Sequence, residues 1–319
     1  MLGKFWKSQN GNTMVIVAAS VFAIAVFAAM AMDIGYILVA DKQLQRAVDA
    51  AALAGAAKLI YGTNEARDEA VNIAAKNTCM GQPVQLTTGQ VTFPTPTQIR
   101  VQTERSFNTF FLRVVNFPRK TLRAEATAQI FYIKGTSGLA PFCVPNGLWR
   151  NGDRVVLKSG GSGETGIFPC WRYPVDFPPI NRGNPVTGAA AFRDNLINGC
   201  PSYVEVGDIL QIEPGNMDGP TSSAVNDIIK QDKDAQWVNG RVINSMFPGY
   251  TSPRILIVPM YDPNNPPEGG RGNVQVNALG AFFLEGMSGK DVIGVFMDII
   301  INGTRGEEYS LLHKVSLIR

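Results

Sequence analysis

Between Met14 and Met32 the chain carries nineteen residues of which only Ser20 is polar. At about 1.5 Å of rise per residue, a helix of that length approaches the ~30 Å hydrocarbon thickness of a bilayer. A helix also satisfies its own backbone hydrogen bonds in lipid. The run therefore reads as a transmembrane helix over residues 13–33, anchored by Met14, Ile16, Val21, Phe22, Ile24, Val26, Phe27 and Met30. Lys4 and Lys7 precede it and Asp33 follows it, so the positive-inside bias makes residues 1–12 a cytoplasmic tail and places the rest outside. Two other readings compete. A cleaved signal peptide would use the small residues Ala28, Ala29 and Ala31, although its apolar region is normally shorter. A core helix of a soluble protein is also usually shorter, and carries some polar face.

A length of 319 residues suggests about two folded units at roughly 100 to 200 residues each. Charged residues make up 17% of the chain, below the usual quarter, which agrees with membrane or heavily buried sequence. A net charge of +3 over this length provides no basic field for phosphate, so no nucleic acid partner is expected.

Downstream of the apolar run, Ile34 to about Lys76 lacks proline and is dense in alanine, which predicts one long helix continuing from the anchor. Leu44, Val48, Leu53 and Leu59, spaced by small residues, give it a narrow apolar face for assembly or packing. That face either covers the protein's own sheet or meets other subunits. Alternating Val, Thr, Ile and Phe predict strands at 90–93, 98–105 and 121–132, with a short helix over 107–115. Residues 34–134 then form a long helix on a small antiparallel sheet, and 135–139 has the composition of a linker. Residues 140–319 read as a mainly β domain with one or two helices. Its strands are expected near 153–157, 203–206, 254–258, 274–284 and 292–301, and its clearest helix at 222–231, entered through Pro220 and Thr221. The fold class is α+β.

Two stretches resemble a known family. Gly11-Asn12-Thr13 leads into the apolar run, Asp33-Ile34-Gly35-Tyr36 follows it, and then comes Leu44-Gln45-Arg46-Ala47-Val48-Asp49-Ala50-Ala51-Ala52-Leu53-Ala54-Gly55-Ala56. This resembles the N-terminal segment of TadE/TadG-like pilus-assembly proteins, and Arg123-Ala124-Glu125-Ala126-Thr127-Ala128 resembles the strand that closes that module. Val206-Gly207-Asp208, Glu213 to Thr221 and Gly280 to Gly286 are similar to a C-terminal region of some members. The resemblance implies a pilin-like helix on its sheet and a role in a tight-adherence (Flp) pilus or related envelope structure. It supplies no active-site residues. Pseudopilins of this system carry a glutamate five residues after the cleaved glycine; here Ile16 follows Gly11 at that distance, so the chain is more similar to the TadG-type partner that keeps its leader. The Asp-x-Ser-x-Ser metal motif of some TadG proteins is absent.

Little else suggests chemistry. Cys79, Cys143, Cys170 and Cys200 all follow the anchor and are disulfide candidates, with one bridge expected among the last three; buried free thiols are the alternative. With His313 the sole histidine and no C-x-x-C, a zinc site is a poor reading. Gly161 to Gly166 matches G-x-G-x-x-G formally, but Ile167-Phe168-Pro169 cannot open a helix behind it, so it reads as a loop tip. Ser162 misses the G-x-S-x-G pattern at its last position. Glu213, Asn216 and Asp218 could form an irregular calcium site, or simply a Pro/Gly/Asn turn, since Pro214 occupies the first ligand position of the calcium-loop pattern.

The resulting expectation is a non-enzymatic, membrane-anchored component of Flp-type pilus assembly, with no catalytic residue and no cofactor. It would sit in the bacterial inner membrane by a single pass. Its partners would be the lipid bilayer, other pilus-assembly or envelope proteins, and further copies through the Ala-rich helix. The alternatives are a tethered envelope hydrolase using carboxylates such as Glu205 and Asp208, a calcium- or ligand-binding adhesin, and a pilus subunit.

Overall fold

The computed structural model describes residues 10–147, 149–158, 173–178, 181, 183–215, 217–266, 272–301, 304–306 and 312–318. The chain divides into two compact units, Met1–Gln129 with Ser316–Arg319, and Ile130–Val315.

The first unit is built on α1, Asn10–Lys58, a single helix of 49 residues. Alanine, the best helix former, fills much of it and no proline interrupts it. The expected continuation to Lys76 does not occur. A 3-10 turn at Leu59–Tyr61 leads to Gly62 at φ 128°, ψ 166°, a conformation open in practice only to glycine, and the chain reverses there. Helix α2, Thr63–Lys76, returns along α1 and buries Ala66, Ala70 and Ala74, one residue per turn. At Gly55 a Cβ would stand 2.9 Å from the Ala66 carbonyl oxygen and 3.0 Å from the Ala70 Cβ. The missing side chain sets how closely the two helices pack.

Three strands of this unit pair antiparallel in succession: β1 Val91–Thr92, β2 Gln98–Asn108 and β3 Arg119–Thr136, the last running to the unit boundary at Gln129 and beyond. Ile99 pairs with Ala128 and Val101 with Ala126, so the buried face alternates with the exposed one at the two-residue period of a strand. Small alanines on β3 leave room for α1, whose Gln45 Nε2 donates to the Glu125 carbonyl at 2.9 Å. The helix expected over 107–115 contracts to one 3-10 turn, Leu112–Val115, because Phe107 and Asn108 are held in the β2 ladder opposite Lys120 and Arg119.

The second unit holds an eight-stranded mixed sheet. Its strands are β4 Phe142–Pro145, β5 Arg154–Lys158, β6 Tyr173–Asp176, β7 Ile209–Ile212, β8 Ile255–Tyr261, β9 Asn273–Gln275, β10 Ala278–Ser288 and β11 Asp291–Met297. They lie in the order β9-β7-β6-β4-β8-β10-β11-β5, all antiparallel except β4 beside β8. Helices α3 Ala189–Asn198 and α4 Asp218–Gln231 bury Phe192, Leu196, Ala224, Val225 and Ile228 against Phe142, Leu256, Phe282 and Phe296. Cys143, Tyr261, Ala281 and Phe283 belong to a second apolar cluster with Ile133, Val204, Ile299 and Leu312. Burial on both faces explains why β10 is apolar without alternation over Ala278–Leu284. The single strand expected over 274–284 is two, β9 and β10.

Candidate functional site

The apolar run is the one segment, among the described residues, long and apolar enough to cross a membrane. Of the expected anchor residues, Met14, Ile16, Val21, Phe22, Ile24, Val26 and Phe27 are exposed and Met30 is half-buried. Among the described residues, none of the most apolar window of this helix is buried, as a lipid-facing helix requires.

Where the run ends, the geometry becomes specific. Asp33 is buried, and its carboxylate accepts three consecutive backbone N–H groups from the β2–β3 loop: Phe110 at 3.0 Å, Phe111 at 2.7 Å and Leu112 at 2.7 Å. These donors enter the 3-10 turn Leu112–Val115, where an anion is favoured by the exposed N–H groups. One turn further along α1, Tyr36 meets Phe110 and Phe107 edge to face, with ring centroids 5.6 and 6.2 Å apart. The loop closes on itself as well. Thr109 Oγ1 donates to the Phe117 carbonyl at 2.5 Å, and the Phe117 N–H to the Leu112 carbonyl at 3.0 Å. Asp33 thus clasps the hairpin to α1 at the end of the apolar run. Sequence reasoning used Asp33 only as a charge marking that end; its clasp depends on a loop nearly eighty residues away, beyond any local pattern.

Further along the same helix, Leu44 and Val48 are buried and Leu53 and Leu59 half-buried, packed within the protein's own first unit. A small hairpin at 78–83 docks there: Cys79 Sγ lies 3.3 Å from the Ala40 carbonyl, and the Met80 N–H reaches Gln43 Oε1 at 2.7 Å.

The remaining candidates sit in the second unit. Glu213 is buried and accepts from the Gly188 N–H at 3.1 Å, ahead of α3. Asp218 opens α4 and receives two ammonium groups, Lys158 at 3.0 Å and Lys290 at 2.9 Å. The hydrogen bond from Lys290, with that from Lys158, holds its carboxyl below the ordinary value against the effect of burial. Two lysines would compete with a calcium ion for this carboxylate. Among the described residues no group of three or more metal-ligating side chains is assembled; Asn216 lies outside them. Glu205 and Asp208 exchange bonds across a turn, and Glu205 pairs with Lys134 at 3.6 Å. An open groove of about 600 Å³ beside them is lined by Ile209, Asn273 and Gln275, with Asp262 the one acidic residue among its described walls. Cys79, Cys143 and Cys200 are free, buried thiols, and burial pushes that of Cys143 far up. Cys170 and Gly161 to Gly166 lie outside the described residues.

Residues 11–58, nearly the whole of α1, match the Tad family model of Flp pilus-assembly TadE/G-like proteins. No curated protein and no solved structure matches the chain.

Proposed function

We propose that this chain is a membrane-anchored structural component of Flp-type (tight-adherence) pilus assembly. The observation that carries this reading is the coincidence of the family match at residues 11–58 with one uninterrupted helix. The N-terminal half of that helix is bare and apolar, while the C-terminal half packs into a folded unit. Such a helix couples a bilayer to a folded extracytoplasmic body without a flexible joint. Lys4 and Lys7 ahead of the span favour an N-in, C-out orientation in the inner membrane. The folded units would then present their surfaces to other envelope or pilus proteins. The buried packing of Leu44 and Val48 leaves α1 little free apolar face beyond Val39 for self-association, so partner contacts there fall on the outer surfaces of the units.

Protease shaving of native cells, combined with intact-mass analysis of the membrane fraction, tests this directly. Full-length chain retained in the membrane and cleaved only from outside supports an assembly component. A shortened chain recovered in sheared filaments would make it a pilus subunit instead, and a chain released to the soluble fraction would overturn the anchor.

A further inference from the structure

The clasped β2–β3 loop exposes an unusual surface. Phe110, Phe111, Val114, Val115 and Phe117 are all solvent-facing, with Val114 85% and Phe117 67% exposed. Five large apolar residues in eight positions of one loop are more than scattered surface residues explain. Asp33 fixes this patch at the end of the apolar run. The apolar surface continues on α1 itself past Asp33, through exposed Ile34, Leu38 and Val39. From Met14 to Val39 the helix extends about 39 Å at about 1.5 Å per residue, more than the ~30 Å hydrocarbon core and close to the thickness that includes both headgroup layers.

We propose that the Phe110–Phe117 loop is a second membrane contact, seated in the headgroup layer of the leaflet nearer the folded units, beside the spanning helix. The occupant is a phospholipid surface. Three features of the loop suit it to that layer. The loop is tied to the end of the apolar run by Asp33 and by the Tyr36 ring packed on Phe110. Six of its backbone donors are already used, those of Phe110, Phe111 and Leu112 by Asp33 and those of Val114, Asn116 and Phe117 by loop carbonyls, which lowers the desolvation cost of insertion. Exposed Arg113, Arg119 and Lys120 edge the patch, where cations meet lipid phosphates. The clasp also shields the Asp33 carboxylate from lipid, which allows a charge within a helix that is apolar on both sides of it. The helix and loop together hold the first unit against the bilayer at two points, which fixes its tilt.

The contact rests on the reading that Met14–Met32 spans a bilayer, and the test separates the two. The full chain is reconstituted in phosphatidylethanolamine/phosphatidylglycerol vesicles, with an environment-sensitive fluorophore at Val114→Cys, Phe22→Cys or Asp68→Cys and the parent chain as labelling background. Doxyl lipids then quench by depth. The expected result is loss of at least about half the emission at position 114 with a shallow doxyl, at the depth of about 5–10 Å typical of interfacial apolar groups, and none at position 68. Quenching at position 22 by a deep doxyl without quenching at 114 overturns the loop contact while the anchor stands. No quenching at either overturns the spanning reading and the loop contact with it. Shielding at 114 that rises with the protein-to-lipid ratio, without lipid quenching, assigns the patch to a second copy and overturns the proposal.

Discussion

Asp33 Oδ2 accepts the Leu112 N–H at 2.7 Å, joining the end of the membrane-compatible helix to a loop nearly eighty residues later in the chain. The same carboxylate also holds the N–H groups of Phe110 and Phe111. Asp33→Ala leaves three donors without their acceptor, two of them sharing one oxygen. Asp33→Asn keeps one acceptor but turns an amide donor toward the others. We expect both variants to lower the melting temperature of the detergent-solubilised chain, Ala by about 5 °C and Asn by less, and to open residues 109–118 to protease first. An unchanged cleavage pattern would show that the loop is held by its own bonds alone.

Gly55 sits where α2 crosses α1. Besides its contacts with Ala66 and Ala70, a Cβ there would lie 2.5 Å from Ile99 Cδ1. The Ile99 side chain can rotate away, but the Ala66 carbonyl belongs to helix backbone and cannot. Gly55→Ala should therefore destabilise the first unit by about 1–3 kcal/mol despite the higher helix propensity of alanine, because overpacking outweighs the ~1 kcal/mol propensity gain. Chemical unfolding followed by a probe on β2 reads the sign. A stabilised variant would mean that the two helices separate without cost.

The helix α1 and most strands are legible in the sequence because their signals are local: an uninterrupted apolar run, alanine density, and the alternation of Ile99, Val101, Ala126 and Ala128. The reversal at Gly62 is not, since one glycine between two helix-forming segments is compatible with either a continuous or a broken helix until Ala66, Ala70 and Ala74 find their partners. The Asp33 clasp is invisible for a related reason. Its three donors are backbone groups of a loop, and backbone donors leave no mark in the sequence. The pair of lysines on Asp218 comes from β5 and from the turn between β10 and β11, so only the assembled sheet brings them together.

In the second unit, Asp232 is buried and is, with Asp218, a carboxylate on which acid should act. Burial raises its carboxyl, but the hydroxyls of Ser245 and Ser252, the Met246 N–H and the Arg254 guanidinium together hold it below the ordinary value. A carboxylate depressed in the folded state contributes stability that is complete above its unfolded value near 4, and that is lost as pH falls through the lower folded value. Urea midpoints measured from pH 7 down to pH 3 should fall most steeply below about pH 4. Asp232→Asn should flatten that acid limb and cost about 1–3 kcal/mol at pH 7, since the Ser245 and Ser252 hydroxyls lose a charged acceptor and buried Arg254 keeps only Glu285 as a nearby counter-charge. An acid limb as steep as in the parent chain would place the titrating group elsewhere.

Asp218 separates an internal ion pair from a calcium ligand. The Lys158 side chain is only 2% exposed, whereas that of Lys290 is 68% exposed, so the two ammonium groups on the same carboxylate are energetically unequal. Asp218→Ala strands a buried ammonium and should cost about 3 kcal/mol, while Lys290→Ala removes an exposed partner and should cost less than about 1 kcal/mol. Both losses should be the same in EDTA as in millimolar calcium, because lysine competes with a divalent ion for the carboxylate. Thermal unfolding of the parent and both variants with and without calcium decides the matter: a calcium-dependent rise in the parent that vanishes in Asp218→Ala would transfer this residue from the ion pair to a metal site.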